Sequence, residues 1–151
     1  MTEEVIPRRF ISPCHKLVII CSVKCNTHIM KKSGFRELNV WKRSRNLAVL
    51  VYRITGGNSY RQDIGLRDQM RRASVSIASN IAEGDERGTN KESIRFLYIA
   101  KGSLAELATQ LEISKAIDYI ENDDFNRLQN ECDLIGKMPG KLIKMRSSHY
   151  L

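Results

Sequence analysis

A chain of 151 residues, 42% of them hydrophobic, can build one ordinary domain with a sizeable core, and only nine glycines and three prolines argue against a sandwich or barrel. The net charge of +8 fits an anionic partner or a plain solvated surface equally well. The four cysteines make no disulfide framework, and the longest apolar run, Leu17 to Val23, is too short to cross a bilayer, so a cytoplasmic protein with reduced thiols and no membrane span is expected.

Residues 1–29 hold two of the prolines, three of the cysteines and that short apolar run, with no sustained helical period. Glu3 and Glu4 stand where a signal peptide would be basic, and no clear cleavage site follows. Met30-Lys31-Lys32-Ser33-Gly34 reads like a natural start, so residues 1–29 are taken as an appended, poorly ordered arm and residues 30–151 as the folded unit. Cys21, Cys25 and His28, with Cys14 or His15 as a fourth donor, resemble a metal site, but their spacing matches no standard zinc pattern. No metal and no cofactor are expected.

Four helical segments follow. The first covers about Leu38–Thr55: Leu38, Trp41, Arg45, Ala48 and Tyr52 share one side, with Val40, Leu47, Val51 and Ile54 beside it. Gly56-Gly57-Asn58-Ser59 ends it. The second runs from about Asp63 to Asp85. Leu66, Met70, Ala73, Ile77, Ile81 and Gly84 form its core stripe, Val75, Ala78 and Ala82 a second stripe of small residues, and Gln69, Arg72, Ser76, Ser79, Asn80 and Glu83 a narrow polar face. Gly84 to Gly88 is read as the end of this helix. Thr89-Asn90-Lys91-Glu92 is a capping box that opens a third helix, about Asn90–Tyr119, with Leu97, Ala100, Leu104, Leu107, Leu111 and Ser114 as its seam. Asn122-Asp123-Asp124 starts the fourth, striped by Phe125, Leu128, Cys132 and Ile135. Pro139 falls on that stripe and predicts a kink or break at Met138–Gly140, with a helical tail resuming through Met145. The fold class is therefore all-α, an up-down-up-down four-helix bundle.

The chemistry is sparse. The three histidines, His15, His28 and His149, all lie outside the helical pattern, so neither a Glu-x-x-His di-iron site nor a Ser/His/Asp system can form within it. Ser76, Asn80 and Glu83 can be drawn as a catalytic trio. No base or cofactor group accompanies them, and a contact face of Ser76, Ser79, Asn80 and Glu83 is the simpler reading. No enzyme is expected. The bases of residues 35–88 are nearly all arginines. Arg67, Arg71 and Arg72, supported by Lys42, Arg43 and Arg45, are the candidates for phosphate contact without base readout. Pairing within or between subunits, for example Arg67 with Asp68, is the competing role.

Phe35-Arg36-Glu37-Leu38-Asn39-Val40-Trp41, the run from Gln69 to Gly84, and the run from Arg95 to Leu107 resemble, in order, segments of the four-helix-bundle protein family, also called the 23S rRNA-intervening-sequence protein family. The resemblance spans about residues 30–145. It implies a left-turning up-down-up-down bundle assembled as a ring-shaped homopentamer. A related accessory protein of diversity-generating retroelements engages a reverse transcriptase and nucleic acid through a basic surface, so RNA or a reverse-transcriptase-like protein is the implied partner. No enzymatic activity is established for the family. This chain departs from the pattern at Ala78, where a proline is common and a straighter second helix follows from its loss. It departs also at Pro139-Gly140 and in residues 1–29, which have no counterpart. The expected function is a non-enzymatic oligomeric bundle that binds RNA or a nucleic-acid-processing partner. The alternative is an assembly module with no nucleic-acid contact.

Overall fold

The structure, a computed structural model, describes residues 34–148. The appended arm, its candidate metal donors and His149 lie outside the described residues. Four helices follow one short 3-10 turn at Phe35–Glu37: α1 (Asn39–Ile54), α2 (Ile64–Glu86), α3 (Asn90–Ala116) and α4 (Asn122–Ser147). Each packs against its neighbours in sequence, and α1 closes the set against α4. Connections this short force antiparallel neighbours, which gives the up-down-up-down bundle. Among the described residues there is no strand.

Local chemistry sets each boundary. Phe35 packs edge-on against Trp41, ring centroids 5.0 Å apart, and fixes the entry into α1. Asp63 caps α2 by accepting from the Leu66 N–H at 2.9 Å. Gly84 does not end α2. The helix runs two residues further to Glu86, and Gly88, at φ +75°, makes the left-handed turn that releases the chain. Thr89 caps α3 by accepting from the Glu92 N–H, while the Glu92 carboxylate lies 3.9 Å from Arg95. The α3 helix stops at Ala116, three residues before the predicted end. Asp118 takes the left-handed conformation, φ 56°, and the Tyr119 N–H bonds the Ser114 carbonyl at 2.9 Å. This is a Schellman-type stop made with aspartate instead of glycine.

The predicted break in α4 does not occur. Pro139 sits inside an unbroken helix and is buried on its seam. Proline cannot donate to the Ile135 carbonyl, but its ring fills the apolar slot. Leu142 and Ile143 then pack on the core beyond it. That packing outweighs one lost backbone bond.

The core is built from Val40, Leu47 and Val51 of α1, Met70, Ala73, Ile77 and Ile81 of α2, Leu97, Ala100, Leu104, Leu107 and Leu111 of α3, and Leu128, Cys132 and Ile135 of α4. The α2, α3 and α4 stripes are those read from the sequence. On α1 the Val40 side wins, and the Trp41–Tyr52 side is left outside. Buried Ser44, Thr55 and Ser114 each donate to the carbonyl four residues back, so their hydroxyls are satisfied within their own turns.

Candidate functional site

The polar face of α2 does not converge on one point. Ser76 Oγ lies 2.8 Å from Ser103 Oγ of α3, and Asn80 Nδ2 donates to the Ser76 carbonyl and to Ser76 Oγ. These two residues form a polar rivet between α2 and α3. Ser79, about 60° around α2 from Ser76, lines a groove beside α1. Glu83 pairs with Arg87 one turn on. Ser74 is buried and donates to the Arg71 carbonyl. A contact face is present, but it serves three separate neighbours.

The candidate phosphate-binding bases are mostly engaged inside the chain. Arg71 donates to Thr55 Oγ1 at 2.9 Å and to the Thr55 carbonyl at 3.2 Å, and its guanidinium lies 4.8 Å from the Tyr52 ring centroid. It thereby clasps the end of α1. Arg43 forks onto Glu131 of α4. Arg67 meets Asp68, Lys42 meets Glu37, and Arg45 spans Asn46 and the Trp41 ring. Arg72 alone of the six has no side-chain partner among the described residues. It lines a shallow cleft with Tyr52, Asp68 and Ser76.

An open groove of about 650 Å³ lies between α1 and α2. Trp41, Ala48, Val49 and Tyr52 line it from α1, and Val75, Ala78 and Ala82 line it from α2, with Arg45 and Arg53 at the rim. Ala78 and Ala82, from the second small-residue stripe of α2, are the floor of this groove. Small side chains keep the floor low, so the aromatic and valine walls stand above it. Tyr52 and Val75 remain 47% and 43% exposed, which leaves a continuous apolar surface that nothing among the described residues covers.

On α3, Ile99, Glu106 and Ile113, continued by Ile117 at the C-cap, fall within about 40° of arc at 100° per residue. The three isoleucines are 42%, 46% and 44% exposed. The result is a ridge with isoleucines at its ends and Glu106, beside half-buried Gln110, in its middle. Neither Glu106 nor Arg53 at the groove rim has a side-chain partner among the described residues.

No group of three or more metal-binding side chains occurs among the described residues. No helix among them is long and apolar enough to cross a membrane. Cys132 is buried on the α4 seam, and burial, with Asp133 and Glu131 adding, pushes its thiol up to about 12. Burial likewise raises the Tyr60 phenol. Both groups resist ionisation in the fold and ionise freely once unfolded. Their contribution is intact below the unfolded thiol value and is lost as pH climbs from about 9 toward 12. Stability at pH 11 is expected to fall roughly 2–3 kcal/mol through Cys132. Urea titrations across this range check it: Cys132→Ala should flatten the alkaline loss, and an unchanged slope would contradict the burial of the thiol.

The sequence profile of the 23S rRNA-intervening sequence protein family matches residues 36–141, a span that holds all of α1, α2 and α3 and most of α4. No curated protein matches the chain. A solved structure of similar fold is the crystal structure of a protein of unknown function from the S23 ribosomal protein family of Bacteroides thetaiotaomicron. It is 24% identical, with a TM-score of 0.65, over 70% of this chain and 98% of that one. With the bundle, its short connections and the family-matched helices in place, the chain belongs to the 23S rRNA-intervening sequence protein family.

Proposed function

We propose that the protein is a non-enzymatic cytoplasmic helical bundle that assembles with copies of itself and binds RNA. The observation that carries this reading is the apolar groove between α1 and α2, which no other part of the described residues covers. Its occupant is the α3 ridge of a second copy. The ridge from Ile99 to Ile113 runs about 21 Å along the helix, long enough to lie in the groove between Trp41 and Arg53, which spans about 18 Å. Charge complementarity sets the register, because the acid in the ridge meets the arginines at the rim. Groove and ridge are different surfaces of one chain, so the contact is head-to-tail and makes a ring when its rotation closes. The pentamer implied by the family resemblance is such a ring.

The test is solution mass by sedimentation. Like charges placed together across an interface cost several kcal/mol, so Glu106→Arg and Arg53→Glu are each expected to weaken assembly at least tenfold. The double variant restores opposite charges and should regain most of it. Single variants with unchanged mass would sink the assignment. RNA is the favoured anionic partner on the net charge of +8, with Arg72 as the one unengaged arginine of the original set. The engagement of the other five bases within the chain favours a second reading, an assembly module with no nucleic-acid contact. A ring of normal mass with no RNA affinity at low salt would select it.

A further inference from the structure

After Asp133 the chain carries no acid. Lys137, Lys141 and Lys144 follow and fall within about 60° of arc on α4. All three are exposed, and none takes part in an ion pair among the described residues. The attraction of bases to a helix C-terminus acts within the last turn. It accounts for Lys144 and Arg146, but not for Lys137 or Lys141.

The stripe continues across to α3. Lys137 and Lys101 line one cleft between the two helices. The Lys101 ammonium lies 5.9 Å from the centroid of the Tyr98 ring, and Tyr98 is 57% exposed. A Cβ added at Gly136 would meet Leu104 at 3.4 Å, so these positions are level in the antiparallel pair. Counting residue for residue from there sets Tyr98 level with Leu142, in the middle of the lysine stripe. Tyr98 also lies about 100° around α3 from Ile99, on the Lys101 side, so docking of the ridge leaves it open.

Lysines are mobile point charges, suited to a backbone whose phosphates arrive in variable geometry. An exposed ring among them offers a stacking surface for an unpaired base, which a duplex keeps hidden. We propose that Lys101, Lys137, Lys141 and Lys144, with Tyr98, form a track for single-stranded RNA along α3 and α4. The proposal rests on the RNA-binding reading above and moves the main contact away from α1 and α2.

Anisotropy of a short fluorescent oligouridylate, titrated with the full chain at several salt concentrations, tests it. Each phosphate contact on a single strand contributes about 0.7 to the log–log salt slope. The variant K137Q/K141Q/K144Q should therefore flatten that slope by about 2 and weaken binding about 100-fold near 0.1 M salt. Tyr98→Ala should weaken binding on the order of 10-fold, and Tyr98→Phe should leave it unchanged. These exposed substitutions should preserve solution mass and helix content. If the wild type binds RNA but the triple variant keeps its affinity and slope, the track lies elsewhere and the RNA-binding reading stands. If the wild type binds no RNA, both fall. Equal binding of a duplex, or equal competition by polyglutamate, would contradict the single-strand assignment.

Discussion

Arg146→Met is expected to lower stability by about 3–5 kcal/mol, because it strands a buried carboxylate. Arg146 Nη2 donates to Asp85 Oδ1 at 2.6 Å, with the two side chains 13% and 3% exposed. The pair joins the last turn of α2 to the last turn of α4, helices that share no side of the bundle. Asp85 Oδ2 is buried without a partner, so the guanidinium is the main compensation for that charge. Asp85→Asn keeps the shape and an acceptor, and its cost should be smaller. Replacing both partners, as in D85L/R146M, should cost less than Arg146→Met alone, since neither charge then needs a partner. Urea unfolding at one fixed protein concentration measures all of these, the fixed concentration being needed because assembly shifts apparent stability. A loss under about 1 kcal/mol for Arg146→Met would mean that the pair behaves as a solvated surface bridge.

Gly84→Val is expected to cost about 2–4 kcal/mol through overpacking, and Gly84→Ala about 1–2. A Cβ at position 84 would stand 2.6 Å from Phe96 Cβ and 3.2 Å from the Ser93 carbonyl. Neither neighbour is a flexible side-chain end, so α2 and α3 must separate locally. In an exposed helix, Gly→Ala would instead gain about 1 kcal/mol from propensity. The two effects oppose each other for alanine, and the clash wins. Thermal or urea unfolding decides it: a stabilised Gly84→Ala would show that the helices do not approach this closely.

The core seams were legible because a 3.6-residue period reports directly which side chains share a face. Leu97, Leu104, Leu107 and Leu111 needed nothing more. Periodicity does not report what a face meets. On α1 it offered two apolar sides, and only the arrangement of α2 and α4 decided that Val40, Leu47 and Val51 go in while Trp41 and Tyr52 stay out. The local cost of proline at 139 predicts a break, and the packing of Leu142 and Ile143 overrides it. Taken locally, Gly84 signals a helix stop, whereas its role is the absence of a side chain against Phe96. Of the candidate site, the small-residue stripe of α2 and the narrow polar face were visible in projection. The partners were not: Ser103 for Ser76, Thr55 for Arg71, Glu131 for Arg43 and Arg146 for Asp85 lie far along the chain. The α3 ridge was the missed signal. Ile99, Glu106 and Ile113 repeat every seven residues about 130° around the helix from the seam, a pattern the sequence carries.

The most direct measurement of the central claim, that the α1–α2 groove takes the α3 ridge of another copy, is the mass of the wild-type chain in solution beside Ala78→Arg. Wild type should sediment as a multiple of 17.3 kDa, near five copies. Ala78→Arg, which raises a charged side chain from the groove floor, should run at 17.3 kDa with its helix content intact. A monomeric wild type, or an Ala78→Arg variant that assembles as well as wild type, would contradict the account.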